Sequence, residues 1–280
     1  MRQARHVFLL LLPSMGGSCT HAEAWPTAPT PKAPATAGVA VAAASAAPSP
    51  GEAEEAFVEL SVPGYEMAVV SLPRDTSVRR PLLVAAHGAW DRPEPHCRLW
   101  RRVIGARGFI LCPRGQRTNV HTPREHAAYF YRHHFALARE VLAAMEALSA
   151  RYPQELDPSA AVWAGFSQGA IHGALVVALH PKLFPRAALV EGGNGFFNEW
   201  SPFAARKYAR GGGERVLFGC GSPYCVRTAE RCAGYLEAND IETLVAHAHG
   251  AGHSYGGAME RQLSEHFDWL VAGDPRWNEE

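Results

Sequence analysis

The sequence has no excess of charge of either sign, because its 27 Lys and Arg residues are matched by 27 Asp and Glu residues. A protein that binds a phosphate backbone needs a basic excess or a basic stripe, so nucleic acid is not an expected partner. The chain also has no internal repeats, and no segment after its N-terminus is apolar for long enough to cross a bilayer. What is present, 280 residues with 47% hydrophobic content, predicts one globular domain with a sizeable core.

The sequence also lacks the closely spaced cysteine pairs that are typical of zinc sites. Its six cysteines are Cys19, Cys97, Cys112, Cys220, Cys225 and Cys232. In an exported protein this usage is compatible with a Cys97–Cys112 disulfide and with one of two local pairs, Cys220–Cys225 or Cys225–Cys232. His247, His249 and His253 are the alternative, a three-histidine metal site. The serine motif described below favours a site with neither metal nor cofactor.

The N-terminal residues differ in composition from the rest of the chain. Residues 1–18 combine a basic start, a short apolar core and small residues, which is the pattern of a secretory signal peptide. Residues 19–54 are rich in Ala, Pro, Thr and Ser and predict a disordered linker. Cys19 directly follows the small residues, but Gly16 stands where a lipoprotein signal usually has leucine. We expect an exported protein, periplasmic, extracellular or lipid-anchored, whose linker suits a tether to a membrane or cell wall.

Residues 165–169 read Gly-Phe-Ser-Gln-Gly and are the strongest functional signal in the chain. An apolar run at 160–164 precedes them and a run of small and aliphatic residues at 170–179 follows, which predicts a turn from a buried strand into a helix. On such a turn a serine is held in a strained conformation with its hydroxyl exposed. Ser167 is therefore the expected nucleophile, and the two glycines allow the strand and the helix to approach closely.

A serine nucleophile needs a base, and His253 stands at the expected place late in the chain. It lies in a glycine-rich stretch, residues 250–256, between a strand-like run at 242–247 and a helical pattern at 258–270. Most of the other histidines among the 14 in the chain are interpreted as surface or capping residues. Chain order thus predicts that His253 takes the proton of Ser167.

Two backbone amides are predicted to stabilise the oxyanion that forms when a serine attacks a carbonyl group. The Gln168 N–H lies at the N-terminus of the predicted helix, where the helix dipole favours negative charge. The Ala89 N–H follows an early strand, residues 81–86, and the pair His87-Gly88. His87 is interpreted as a residue that shapes this loop, not as a base.

Together these motifs resemble those of the serine α/β-hydrolases. His-Gly at 87–88, Cys-Pro-Arg-Gly at 112–115, Gly-Phe-Ser-Gln-Gly at 165–169 and Gly-His-Ser at 252–254 are most similar to the carboxylesterase, phospholipase and acyl-protein thioesterase group. The resemblance covers residues 56–270 and implies an α/β fold, a mostly parallel sheet with helices on both faces. It also implies cleavage of a small-molecule or lipid-like carboxylic ester or thioester through an acyl-enzyme, without a cofactor.

The third member of the catalytic triad departs from the pattern of that group. The group places an Asp in the turn after the next-to-last strand, whereas the turn here, residues 219–225, has Ser222 at that place and no carboxylate. Glu191 ends the preceding apolar strand, where a poorly solvated carboxylate needs a partner such as a histidine N–H. Glu191 is the predicted acid, and Ser222 as a neutral orienting group and Asp240 are the alternatives.

The sequence therefore predicts a catalytic domain over residues 55–273 and a C-terminal tail over residues 274–280. Its predicted function is that of a secreted or tethered serine esterase. The same fold also serves serine peptidases of the prolyl-oligopeptidase type, which are the enzymatic alternative. The missing Asp favours a third interpretation, a binding protein that has lost activity, and the presence of Ser167 and His253 argues against it.

Overall fold

The computed structural model describes residues 57–195 and 199–278 of the chain. The predicted signal peptide at 1–18 and the predicted linker at 19–54 lie outside these residues, so both stay predictions. Within the described ranges, no helix combines the length and the apolar character that crossing a bilayer requires.

Ten strands are formed in the described ranges. They are β1 Phe57–Leu60, β2 Ala68–Ser71, β3 Arg80–Ala86, β4 Phe109–Cys112, β5 Gln116–Arg117, β6 Tyr129–Phe130, β7 Leu156–Phe166, β8 Arg186–Val190, β9 Arg215–Cys220 and β10 Glu242–His247. Eight of them form one sheet in the order β1-β2-β4-β3-β7-β8-β9-β10, and β5 pairs with β6 apart from it. Pairing is antiparallel from β1 to β4 and parallel from β4 to β10, so the prediction of a mostly parallel sheet is confirmed.

Helices cover both faces of this sheet, as predicted. They are α1 Pro93–Val103, α2 His134–Arg151, α3 Gln168–Leu179, α4 Pro202–Arg210, α5 Pro223–Glu237 and α6 Ala258–Val271. Apolar side chains of α2 to α5 form one core with Leu82 and Val84, and those of α1 and α6 form a second core with Leu83 and Ala85. Successive side chains of a strand point to opposite faces, so the continuous apolar run of β3 contributes to both cores.

Two helices begin at a Ser-Pro pair. Ser201 before α4 and Ser222 before α5 each accept a hydrogen bond from the backbone N–H three residues later, at 3.2 Å in both cases. The proline that follows each serine has no N–H to satisfy and is already set at a helical φ. The side-chain cap and the proline together determine the residue at which each helix begins.

Two disulfides are formed among the described cysteines, and both agree with pairings suggested by the sequence. Cys97–Cys112 joins α1 to the end of β4, and Cys220–Cys225 spans the turn from β9 to α5. Among the described cysteines, Cys232 is free and buried.

The described chain continues past residue 273 with a 3₁₀ turn, Pro275–Trp277. The Trp277 side chain is buried, and its ring packs edge-on against Phe267 of α6 with 5.3 Å between the centroids. A Cβ atom on Gly108 would lie 3.0 Å from the same indole ring. Residues 274–278, assigned to the tail from the sequence, thus pack against the second core because they carry one large apolar side chain.

Glu140 of α2 is buried and holds the turn after β4. Its Oε1 accepts hydrogen bonds from the backbone N–H groups of Arg114 at 3.0 Å and of Gly115 at 2.8 Å. The carbonyl oxygen of Arg114 lies 2.9 Å from Nε2 of His87, which stands in the loop after β3. Burial raises the pKa of Glu140 from 4.5 to about 7, against the opposing effect of the two amide donors.

This raised pKa predicts a pH dependence of stability. The folded protein holds the Glu140 proton more tightly than the unfolded chain, so the stabilisation is complete below about pH 4.5 and is lost as the pH rises through about 7. The loss amounts to about 3 kcal/mol of unfolding free energy over this window. Glu140→Gln keeps an oxygen acceptor and has no proton to lose, so its urea-unfolding free energy should decline less over the same window.

The matched control is Glu146→Gln, which changes an exposed carboxylate of the same helix. Its pH profile should follow that of the wild type. Parallel profiles for the wild type and Glu140→Gln would contradict the assignment.

Candidate active site

The carboxyl ends of the parallel strands meet at one edge of the sheet, and the loops that follow them carry the predicted site residues. Ala89 lies in the loop after β3, Ser167 follows β7, Glu191 follows β8 and His253 lies between β10 and α6. Sites in open parallel sheets form at this edge because the strand connections leave a crevice there.

Ser167 occupies a strained backbone conformation, φ 50° and ψ -114°, between β7 and α3. Its N–H donates to the Val190 carbonyl oxygen at 2.8 Å, which attaches the turn to the end of β8. A Cβ atom on Gly165 would lie 2.4 Å from the carbonyl oxygen of Gly169, and one on Gly169 would lie 2.1 Å from that of Ala86. Both positions therefore require glycine, for the reason that the motif predicts.

His253 lies between Ser167 and Glu191. Its Nε2 is 2.9 Å from the Ser167 Oγ. Its Nδ1 is 3.4 Å from the Glu191 Oε2, which is within ion-pair reach of a protonated ring and longer than an ordinary hydrogen bond. The side chain of His253 is 60% exposed, whereas that of Glu191 is 8% exposed. A buried carboxylate at one ring nitrogen and a hydroxyl at the other is the arrangement that an oriented base requires.

Backbone contacts hold Glu191 in place. Its φ is 50°, its N–H donates to the Gly219 carbonyl oxygen at 2.9 Å, and its Oε1 accepts a hydrogen bond from the Gly221 N–H. The Oε2 atom faces His253. The turn after β9, which has no carboxylate of its own, thus contributes an amide donor to the carboxylate of the neighbouring strand.

The two alternative orienting residues have other surroundings. The Ser222 Oγ is the cap of α5, where it accepts from the Cys225 N–H. Asp240 stands before β10, at the opposite end of that strand from the His253 loop, and its N–H donates to the Glu237 carbonyl oxygen at 3.0 Å. Of the three carboxylate or hydroxyl candidates, Glu191 is the one that the fold brings to His253.

Gln168 and Ala89, the predicted oxyanion donors, belong to the start of α3 and to the loop after β3. Gln168 begins α3, so its N–H has no acceptor within the helix. Its side-chain Oε1 accepts from the Tyr131 N–H at 2.7 Å. Ala89 is exposed, and the Gly88 before it would place a Cβ atom 3.4 Å from the Cβ of Ser167. The loop after β3 therefore reaches the serine directly.

His87, in the same loop, is fully buried. Its Nδ1 lies 2.7 Å from the Gly88 carbonyl oxygen and its Nε2 lies 2.9 Å from that of Arg114. Burial lowers the pKa of His87. Since both ring nitrogens face carbonyl oxygens and neither is accessible, His87 shapes the loop, in agreement with its interpretation from the sequence.

Tyr131 was not identified from the sequence. Its N–H contacts Gln168, and its hydroxyl lies between the His87 N–H at 3.3 Å and the Pro113 carbonyl oxygen at 3.0 Å. It also lines a cavity of about 660 Å³ whose walls do not include Ser167. No motif marks Tyr131, because its contacts with the site arise only when the segment after β6 folds over α3.

The three-histidine alternative does not match the geometry. The rings of His247 and His249 stack with 4.2 Å between their centroids, while His253 is directed at Ser167 and Glu191. Within residues 57–195 and 199–278, no group of three or more His, Cys, Asp or Glu side chains is arranged to hold a metal ion.

The Cys220–Cys225 disulfide encloses Gly221, the amide donor to Glu191. Both cysteines fall in one tryptic peptide, residues 216–227, so we expect that peptide from unreduced protein to be lighter by two hydrogen atoms than after reduction. Cys232 should take up an alkylating reagent once the unreduced chain is unfolded.

The double variant Cys220→Ala, Cys225→Ala should lower the unfolding free energy by roughly 2 kcal/mol, measured by urea titration. The loss is small for a disulfide because the loop that this bond closes is short.

The matched control is the pair Cys97→Ala and Cys112→Ala. This bond closes a longer loop, with a sequence separation of 15 against 5, so its loss should cost more stability. A linked peptide containing Cys232 would contradict the pairing.

No family model matches the sequence, and no curated protein matches it. Solved structures with a similar fold include the esterase of Pyrobaculum calidifontis, with 16% identity, 75% of this chain and 81% of that chain covered, and a TM-score of 0.52. The fluorophosphonate-binding serine hydrolase F of Staphylococcus aureus has 14% identity, coverages of 77% and 97%, and a TM-score of 0.54. Est1E of Butyrivibrio proteoclasticus has 14% identity, coverages of 78% and 99%, and a TM-score of 0.53. Together with the strand order and the serine turn, these similarities show that the chain has the α/β-hydrolase fold.

Proposed function

We propose that this protein is a serine hydrolase that cleaves a carboxylic ester or thioester of a small or lipid-like molecule, with Ser167 as its nucleophile. The observation that carries the proposal is the unbroken contact from Glu191 through His253 to Ser167. The esterases and the serine hydrolase of similar fold favour ester hydrolysis among the reactions that this site can perform.

The reaction proceeds in two halves. The Ser167 Oγ attacks the carbonyl carbon while the Nε2 of His253 takes the hydroxyl proton, and His253 returns that proton to the departing alcohol or thiol. The acyl group stays on Ser167. A water molecule then gives its proton to His253 and attacks the acyl carbon, and the carboxylic acid leaves as Ser167 recovers its proton.

Glu191 acts whenever His253 carries the extra proton. A carboxylate beside Nδ1 stabilises the imidazolium and keeps the ring turned with Nε2 toward Ser167. The low exposure of Glu191 strengthens this attraction, since little water screens it. The Ala89 and Gln168 N–H groups stabilise the negative oxygen of each tetrahedral intermediate, and the dipole of α3 adds to the effect of Gln168.

The proposed place of action is outside the cytoplasm. Disulfides persist in oxidising compartments, and both disulfides of the described chain support export. In this proposal residues 1–18 direct export, residues 19–54 tether the catalytic domain to a membrane or cell wall, and residues 55–273 with the following turn hydrolyse the ester.

Removing the nucleophile is the first test. We expect Ser167→Ala to reduce kcat for p-nitrophenyl esters by at least about a thousandfold, because loss of a triad member removes both the bond to the acyl group and the proton transfer. Circular dichroism should show an unchanged fold. Ser149→Ala, in α2, is the matched control and should retain full activity.

A fluorophosphonate probe and a substrate panel separate the alternatives. An esterase should label at Ser167 and prefer one range of acyl chain lengths, whereas a peptidase of the prolyl-oligopeptidase type should cleave proline-containing peptides faster than esters. Near wild-type turnover by Ser167→Ala would contradict the mechanism. Wild-type protein that neither labels nor hydrolyses any ester would indicate a binding protein.

The identity of the acid is the second test. Glu191→Gln should lower kcat by roughly two to four orders of magnitude, because an amide does not stabilise the imidazolium as a carboxylate does. Steady-state kinetics should show little change in KM.

Ser222→Ala is the matched control for this test. It removes a helix cap and should cost about 1 kcal/mol of stability with little effect on kcat. An unchanged kcat in Glu191→Gln together with a strongly lowered kcat in Ser222→Ala would assign the orienting role to the turn after β9. If neither variant changes kcat, Asp240 becomes the residue to test.

A further inference from the structure

The loop that carries His253 has little conformational preference of its own. Residues 248–257 contain four glycines, and Gly250, Gly252 and Gly257 have φ values of 73°, 60° and 60°. Glycine adopts such values readily but also many others. The backbone holds one side of the loop, where the Gly252 N–H donates to the Gly221 carbonyl oxygen at 3.2 Å. The larger side chains make further contacts, and Tyr255 is the one Phe, Tyr or Trp residue in that stretch.

The ring of Tyr255 packs edge-on against two other rings. Its centroid is 4.7 Å from that of Phe166, with planes at 74°, and 5.1 Å from that of His96, with planes at 84°. Edge-to-face pairs of this kind are favourable beyond the area they bury. Phe166 directly precedes Ser167, and His96 is buried in α1, where it accepts a hydrogen bond from the Trp100 Nε1 at 3.2 Å.

The hydroxyl of Tyr255 makes a polar contact with the carboxylate of Asp91. Burial, and then the charge of Asp91, raise the pKa of Tyr255 to about 12, so the hydroxyl keeps its proton at neutral pH. Asp91 is itself fixed, because its carbonyl oxygen accepts from the Tyr129 N–H at 2.9 Å and the Tyr129 carbonyl oxygen accepts from the Trp90 N–H at 2.8 Å. Asp91 stands two residues after Ala89.

The three partners of Tyr255 thus belong to the other parts of the site. Phe166 belongs to the serine turn, Asp91 to the loop of the proposed oxyanion donor, and His96 to the helix that follows that loop. In the sheet, β3 and β10 are separated by three strands, so no strand pairing brings the two loops together.

We propose that Tyr255 is a positioning residue, whose ring on Phe166 and His96 and whose polar contact with Asp91 join the histidine loop to the loop after β3. This proposal rests on the proposed function. Tyr255 touches no reacting atom in it. It acts by keeping the Nε2 of His253 within reach of Ser167 while the loop that carries Ala89 is held beside the serine turn.

Tyr255→Phe tests the proposal, because it keeps the ring and removes only the hydroxyl. We expect kcat for an ester to fall about tenfold, the effect of one polar contact of ordinary strength, with KM changed less than about twofold. The rate at which a fluorophosphonate labels Ser167 should fall by a similar factor, since labelling also needs His253 in place. Asp91→Ala should add little in the Tyr255→Phe background.

Tyr208→Phe is the matched control. Its hydroxyl is also buried and donates to the Pro185 carbonyl oxygen at 2.5 Å, before β8 and away from the site edge. It should lower Tm and leave kcat and labelling unchanged, which distinguishes a positioning effect from a general loss of stability.

The outcomes separate the two proposals. If wild-type protein does not label at Ser167, the proposed function is wrong and the role of Tyr255 with it. If the wild type labels and Tyr255→Phe labels and turns over at the same rates, only the role of Tyr255 is wrong. Fully additive effects of Tyr255→Phe and Asp91→Ala would also overturn it, because two residues joined by one polar contact lose it only once.

Discussion

Four chain segments approach one another closely around Ser167, namely the ends of β3, β7 and β8 and the start of α3. The site depends on this close approach. The strained backbone of a residue such as Ser167 costs about 1–3 kcal/mol and persists only where the surroundings leave it no alternative. Here the carbonyl oxygen of Ser167 lies so near Gly192 that a Cβ atom there would be 2.5 Å away, and Gly165 and Gly169 have no more room. The same crowding that imposes the strain places the ends of β3, β7 and β8 within reach of one side chain.

The position of Glu191, the proposed acid, follows from the geometry of neighbouring strands. Val190 of β8 pairs with Gly219 of β9, so the residues that follow them begin about 4.8 Å apart, the spacing of paired strands. A Glu side chain is one methylene longer than that of Asp, which helps a carboxylate on β8 to reach a histidine beyond β9. The Gly221 N–H then satisfies the other carboxylate oxygen, as a group withdrawn from water requires. The turn after β9 contributes to the site through its backbone.

A second layer of buried polar groups supports the loop after β3. Tyr131 connects that loop to the turn after β4, and His87 and Glu140 hold the same turn from two sides. Where water is excluded, each of these hydrogen bonds is stronger than at the surface. A buried polar group that lacks a partner there also lowers stability more. The shape of the loop after β3 and the protonation of Glu140 are therefore linked through Arg114.

The sequence by itself determined the fold class and the chain order of the site. Glycines at 165 and 169 and apolar runs on both sides are local requirements of a strand–turn–helix, so they can be read without knowledge of the rest of the chain. The strand-like run at 242–247 was likewise evident, and the fold confirms it. The roles of Ser167, His253, Glu191, Ala89 and Gln168 stay predictions, although the fold brings the first three into contact.

Only the tertiary structure decided between the alternatives that chain order left open. Cys225 pairs with Cys220 and not with Cys232, Glu191 reaches His253 while Ser222 caps a helix, and Trp277 enters the core. Each of these outcomes depends on distances between segments that are remote in sequence or on the direction in which a side chain leaves its strand or helix. Spacing along the chain carries no information on such distances, because they are set by sheet order and by packing against both of its faces.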